Sequence, residues 1–162
     1  MIEPVSRNIE PAVLALNNQH AEELSWLEPA ELSHLVSQAF YARRIGELEA
    51  FLIAFDQDAE YDSPNFLWFK VRYPRFVYVD RIAVASEARG RGHARRLYED
   101  LFKHAGNNGH DVVVCEVNSD PPNPASDAFH AALGFREVGQ AIIHGGKKAV
   151  RYFACPIEPA GI

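Results

Sequence analysis

Apolar and polar positions follow two periods along this chain, one helical and one extended, and the changes of period predict its elements. EPAVLALNNQH (10–20) and EPAELSHLVSQAF (28–40) repeat apolar residues at helical spacing. Each opens with a proline inside the first turn, where a missing amide hydrogen is harmless. FYARRIG (40–46) and LEAFLIAFD (48–56) are strand-like runs broken around Gly46 and Glu47, the pattern of a hairpin. The acidic DQDAEYDS (56–63) reads as a loop and PNFLWFKVRYP (64–74) as a helical turn or short helix. RFVYVDRIAVA (75–85), dense in β-branched and aromatic residues, is the strongest strand. HARRLYEDLFKHAG (93–106) sets Leu97, Leu101 and Ala105 one helical turn apart and predicts a C-cap at Gly106. DVVVCEV (111–117) is a second buried strand, and NPASDAFHAAL (123–133) is a helix with Phe129 and Leu133 on one face. FREVGQAII (135–143) and KAVRYFACPI (148–157) are two last strands around the turn HGGKK, with His144 at its tip. Helices separate strands in a sheet that begins and ends with hairpins, which predicts a mixed α/β fold.

Composition narrows this picture. A chain of 162 residues, 48% hydrophobic, suffices for one packed core and is short for two, so residues 1–162 are expected to form a single domain. The net charge of −6 is unevenly spread: residues 1–62 carry 12 acids and 3 bases, whereas 63–162 carry 10 acids and 13 bases. An anion site therefore belongs to the second part. Cys115 and Cys155 sit in apolar β-like runs and read as buried free thiols of a reducing compartment. The start MIEPVSRNIEPAV lacks a basic end followed by an apolar core, and no apolar run reaches membrane-spanning length. A cytoplasmic protein with no membrane partner is expected.

Against that acidic background, RGRGHARR (89–96) packs four arginines and two glycines into eight residues between a strong strand and a helix. A helix start leaves its first amides without intrahelical partners, carries the positive end of the dipole and attracts anions; glycines let an anion reach the backbone. The plain alternative is a solvated loop ahead of an ordinary helix. The P-loop pattern G-x-x-x-x-G-K-[ST] is absent, and the dinucleotide pattern G-x-G-x-x-G fails because Arg95 stands at its third glycine. The pattern [RQ]-x-x-G-x-[GA] fits RGRGHA (89–94) in order and spacing.

That last pattern resembles the pyrophosphate-binding signature of the GNAT superfamily of acetyl-CoA-dependent N-acetyltransferases. The resemblance runs from about residue 36 to 155: DRIAVASEARGRGHARRLYEDL is similar to the family's fourth strand, cradle and third helix. CEVNSDPPNPASDAFHAALGF is similar to its fifth strand and fourth helix, ending in a Leu-Gly-Phe common there. The resemblance implies a GNAT-like mixed sheet of six or seven strands, splayed between the fourth and fifth, with helices on both faces. It implies acetyl-CoA as co-substrate and no metal. Ile82 and Val84 would offer backbone groups to the pantetheine, the amides around Arg89, Gly90, Gly92, Ala94 and Arg95 would hold the pyrophosphate, and Asn118 and Asn123 would lie near the cofactor. Asn123, before Pro124, equally suits a helix N-cap.

The implied activity is direct transfer of acetyl to an amine, small molecule or protein. A lysine-like amine titrates about six units above a carboxylate, so a carboxylate base needs water, a dry site or an amine of depressed pKa. Two carboxylates interrupt apolar runs on the right strands, Glu116 and Asp80, and an ion pair with Arg81 or Arg136 is the structural alternative for each. Where the family usually has a tyrosine acid, this chain has His130 in AFHAALGF. It would donate to the departing sulfur or merely wall the tunnel. Phe66, Trp68, Phe69, Tyr73 and Phe76, with Trp26, suit either an acceptor pocket or a plain core. The acidic first part favours a cationic amine acceptor, and a homodimer stays open. Two other readings remain: a catalytically idle CoA-binding or sensory module, and a nucleic-acid binder through residues 89–96, which the acidic net charge opposes.

Overall fold

A computed structural model describes residues 1–120 and 122–159; of the 1–162 span expected for one domain, position 121 and residues 160–162 lie outside it. The strands are β1 (Ile2–Pro4), β2 (Tyr41–Ile45), β3 (Ala50–Asp56), β4 (Val77–Val84), β5 (Val112–Asn118), β6 (Arg136–Ile143) and β7 (Lys148–Pro156). The helices are α1 (Glu10–Gln19), α2 (Ala21–Leu24), α3 (Pro29–Gln38), α4 (Pro64–Lys70), α5 (His93–Asn107) and α6 (Pro124–Leu133). Short 3-10 turns occupy Arg7–Ile9 and Ser86–Ala88. The seven strands form one mixed sheet in the order β1-β2-β3-β4-β5-β7-β6. Backbone contacts divide the chain into two compact units, Met1–Glu60 with Val79–Lys103 and Tyr61–Tyr78 with His104–Ile162.

In the first unit β1, β2 and β3 are antiparallel, with Ile2 opposite Ile45 and Tyr41 opposite Ala54. Ala50 through Phe55 on β3 are all fully buried, as expected of a strand covered on both faces. Leu32, Leu97, Tyr98 and Leu101 add the apolar sides of α3 and α5. Asp100 on α5 accepts from Tyr41 and Arg43 of β2, each at 2.7 Å, tying helix to strand. In the second unit Val77 and Tyr78 pair parallel to Val113 and Val114. β5 pairs antiparallel with β7 and β7 with β6. Phe66, Phe69, Phe76, Tyr78 and Tyr152 form the centre of that core, their rings meeting edge to face or tilted.

One expectation changes. Gly106 is not a cap: it is buried inside α5, which runs on to Asn107, and the chain turns at Gly109 with φ +81°, the His110 amide donating to the Ala105 carbonyl at 3.0 Å. On α6 the buried residue is His130, while Phe129 and Leu133 are only half-buried. Of the two readings left open for the aromatic cluster, Phe66, Phe69 and Phe76 take that of the core, whereas Trp26 is 61% exposed. β1 and α2, three and four residues long, carry too little periodicity to be seen in the sequence.

Gly139 follows a register shift in β6 and lies under Trp68, where a methyl group would overlap the indole carbons Cζ2 and Cη2. Any retreat of Trp68 would disturb its stack on Tyr152, whose ring centre lies 4.2 Å away. Gly139→Ala is therefore expected to lower stability by about 1–3 kcal/mol. Combining it with Trp68→Leu should cost less than the two changes summed, a non-additivity that a denaturant double-mutant cycle reads directly.

Candidate active site

The segment RGRGHARR (89–96) belongs to the first unit. Gly90 and Gly92 both have φ +77°, the left-handed region that glycine alone adopts without strain, and a side chain built on either meets nothing within 4 Å. The turn thus presents open backbone just before α5 begins at His93. Arg89, Arg91 and Arg95 are exposed around it. Arg89 reaches His20 Nε2 at 3.4 Å, and Arg95 pairs with Glu99 one turn on at 3.2 Å. Beneath the turn Ala88 is buried and Ala94 half-buried. The His93 ring is buried too, with Nε2 3.1 Å from Glu49 Oε2 and Nδ1 against Arg96. On β4 the odd residues Val79, Arg81 and Ala83 are buried, and Ile82 and Val84 on the other face are half-exposed.

Asp80 forms an ion pair with Arg81, Nε to Oδ2 at 2.9 Å, with both side chains nearly excluded from solvent. The same guanidinium donates to Asn17 Oδ1 at 2.9 Å and to the Ser25 carbonyl at 3.3 Å. Ser25 itself stands at φ +70° and also accepts from Asn17 Nδ2. The structural alternative weighed for Asp80 is therefore the arrangement it adopts.

Glu116 lies in the second unit, half-buried on β5, and accepts from two neutral donors. Asn65 Nδ2 of α4 lies 3.1 Å from Oε1, and the Tyr78 hydroxyl lies 2.8 Å from Oε2. Tyr152, opposite Glu116 in the β5–β7 register, donates its hydroxyl to Asn65 Oδ1 at 2.8 Å. Burial first, and then the charge of Glu116, push the Tyr152 phenol up to about 12, so it stays a neutral donor across the working range. None of Asn65, Tyr78 and Tyr152 stood out in the sequence. The one available signal was an amide, Asn65, inside an otherwise aromatic helix.

His130 is buried among Phe129, Phe135 and Phe153. Its Nδ1 lies 2.7 Å from the Ser126 carbonyl, a group that only accepts, so Nδ1 carries the hydrogen. In the neutral ring Nε2 then holds a lone pair and can only accept. Burial lowers the His130 pKa, opposed by the Ser126 hydrogen bond and the Asp127 charge. The expectation that the neutral ring would still offer a hydrogen bond to a departing sulfur meets this geometry, in which its one donor points to Ser126. The Asn123 side chain accepts from the Ser126 amide at 3.1 Å and so caps α6. Asn118 ends β5 opposite Val150. Cys115 and Cys155 are both buried free thiols. Among the described residues no group of three or more His, Cys, Asp or Glu is placed to hold a metal ion, and no helix is long and apolar enough to cross a membrane.

The profile of the family described as "Acetyltransferase (GNAT) family" matches residues 15–135, most of the chain. The chain belongs to that family. L-2,4-diaminobutyric acid acetyltransferase of Wolinella succinogenes is 28% identical over 82 residues, 51% of this chain and 47% of that relative, so the GNAT chain described here matches about half the length of its curated relative. The ribosomal-protein-S18-alanine N-acetyltransferase of Escherichia coli shares the fold with a TM-score of 0.72 at 21% identity, over 99% of this chain and 96% of that one. NAA60 of Arabidopsis thaliana, solved in complex with acetyl-CoA, aligns with a TM-score of 0.72 at 17% identity, over 97% and 98% of the two chains.

The His130 tautomer is directly measurable. Nitrogen-15 NMR is expected to show Nδ1 protonated in the neutral ring and a titration midpoint below about 6.5. A ring protonated at Nε2, or a midpoint at or above that value, would contradict the assignment.

Proposed function

We propose that this protein, residues 1–162 acting as one domain, transfers the acetyl group of acetyl-CoA directly to an amine. The observation that carries the reading is the open turn at Gly90 and Gly92, both at φ +77° with clear space above the backbone and arginines on its rim. This is the geometry a pyrophosphate needs, and it fits CoA: the amides around Arg89, Gly90, Gly92, Ala94 and Arg95 would hold the diphosphate and Ile82 and Val84 the pantetheine. Bound acetyl-CoA supplies an activated thioester. Asn118 and Asn123 are assigned near it, although the side chain of Asn123 is itself engaged in capping α6.

Within the protein, Glu116 is the base we assign. Its carboxylate is half-buried and oriented at both oxygens, and it would take the ammonium proton directly or through water. Asp80, held by Arg81, is assigned a structural part in place of proton transfer. His130 would donate to the sulfur only as imidazolium; at neutral pH a thiol with pKa near 8.5 leaves as thiolate without that help. The acceptor is proposed to be cationic, on the excess of nine acids over bases in residues 1–62. The named relatives include both a diamino acid acetyltransferase and a ribosomal-protein alanine acetyltransferase, so both small-molecule and protein amines belong in the screen. A second reading, an idle CoA-binding module, is favoured by the donor geometry of His130. Sustained thiol release from acetyl-CoA with any amine of a panel rejects it.

CoA at 100 times its Kd should stabilise the protein by about 2.7 kcal/mol, visible as a rise in melting temperature. Gly92→Val should abolish that rise, since a branched side chain at φ +77° both strains the turn and blocks the phosphate approach. An undiminished CoA-induced shift in this variant would sink the cradle. Glu116→Gln is expected to lower kcat by about 10²-fold or more while CoA binding persists. Full kcat in that variant would remove Glu116 from proton transfer.

A further inference from the structure

We infer that Tyr152 and Asn65 form a positioning relay for Glu116: Tyr152 fixes which end of the Asn65 amide faces Glu116, and Asn65 in turn fixes the Glu116 carboxylate. The inference rests on the proposed role of Glu116 as base and adds to it what sets that base.

The argument begins with donors and acceptors. An ionised carboxylate only accepts, so the end of Asn65 that faces Glu116 Oε1 must be Nδ2, at 3.1 Å. That places Oδ1 at the Tyr152 hydroxyl, at 2.8 Å, and a neutral phenol supplies the hydrogen. Rotating the amide by half a turn would set an oxygen against the carboxylate. The phenol and the carboxylate therefore select the same orientation from opposite ends. Asn65 is 8% exposed, so water competes little for either contact.

Tyr152 is fixed from behind. Trp68 stacks on its ring at 4.2 Å and 20°, and the Arg72 guanidinium lies over the far side of Trp68 at 3.8 Å from the ring centre. Gly139 leaves the space in which that indole fits. Phe69 meets Tyr152 edge to face at 5.2 Å. Four residues from two distant segments, 68–72 and 139, thus set the direction of one hydroxyl, and that hydroxyl reaches Glu116 through Asn65.

The consequence is chemical as well as mechanical. Hydrogen bonds to the charged form of an acid favour that form, so the relay keeps Glu116 ionised to lower pH than a carboxylate lacking it. The titratable or charged groups described around Glu116 include Tyr78, which donates to Oε2, the buried Cys115 thiol beside it on β5, and Tyr152, with Arg72 behind Trp68. Tyr78 stays in place when the relay is cut, so the expected change is that of losing the Asn65 donor alone.

Two variants and two readouts test this. Asn65→Ala removes the donor; Tyr152→Phe keeps the ring stack and removes only the hydroxyl, so it serves if Asn65→Ala fails to fold. The acid limb of kcat/KM should move up by about one pH unit in Asn65→Ala, the scale of a hydrogen bond to a charged group, and less in the same direction in Tyr152→Phe. The carboxyl carbon of Glu116, followed by carbon-13 NMR in the protein without substrates, should show the same upward displacement independently of turnover. A purely structural role would lower the melting temperature and leave both midpoints unmoved, and that result overturns the relay. If Glu116→Gln keeps full kcat while the carbon-13 midpoint still moves in the relay variants, the base assignment falls and the relay stands as a device acting on Glu116. If Glu116→Gln is inactive and neither midpoint moves in Tyr152→Phe, the base stands and the relay falls.

Discussion

Two parallel strands cannot be joined by a tight turn, and this constraint shapes the molecule. Val77 and Tyr78 of β4 run alongside Val113 and Val114 of β5 in the same direction, so the chain must return the full length of the strand before β5 can start. The return is α5, fifteen residues long. A strand that gives way to a returning helix has to reverse within a few residues, and here the reversal is made by Gly90 and Gly92. The helix start and the left-handed glycines arise from one topological requirement, and the exposed backbone at which an anion is proposed to sit is its by-product.

A second constraint is the presence of charge within sheets that are otherwise apolar. The two carboxylates on the inner strands are handled differently. Asp80 is neutralised by Arg81, which also holds Asn17 and the strained Ser25, so its charge is tied into the first unit's architecture. Glu116 is met by neutral donors, Asn65 and Tyr78. A carboxylate paired with a guanidinium is offset by an opposite charge, whereas one met by neutral donors is oriented without being neutralised. The difference between two similar side chains lies in their partners.

Much of this was legible in the sequence where a residue breaks a local pattern. Paired glycines after a strong strand marked the turn, a glutamate within VVVCEV marked a charge in a sheet, and a histidine in AFHAALGF marked a departure from the family. What was hidden depends on contacts between distant segments. The partnership of Tyr152 with Asn65 requires the packing of α4 beside β7, and the burial of His130 in preference to Phe129 follows from the facing Phe135 and Phe153. Gly106 misled because a glycine near the end of a helical pattern usually caps it; at this buried position the helix carries on for another residue and Gly109 makes the turn. The ion pair of Asp80 with its own neighbour was among the alternatives the sequence offered, and only packing chose between them.

Beside the proposed base lies Cys115, a sulfur nucleophile in an enzyme family that works with thioesters. Its thiol is buried, and burial together with the negative charge of Glu116 pushes its pKa well above the ordinary value; Cys155 is raised by burial as well. Both sulfurs thus remain protonated and shielded, and a protonated thiol is a feeble nucleophile. The negative charge of Glu116 thus helps keep Cys115 silent, and the sheet carries a sulfur that is closed to acylation.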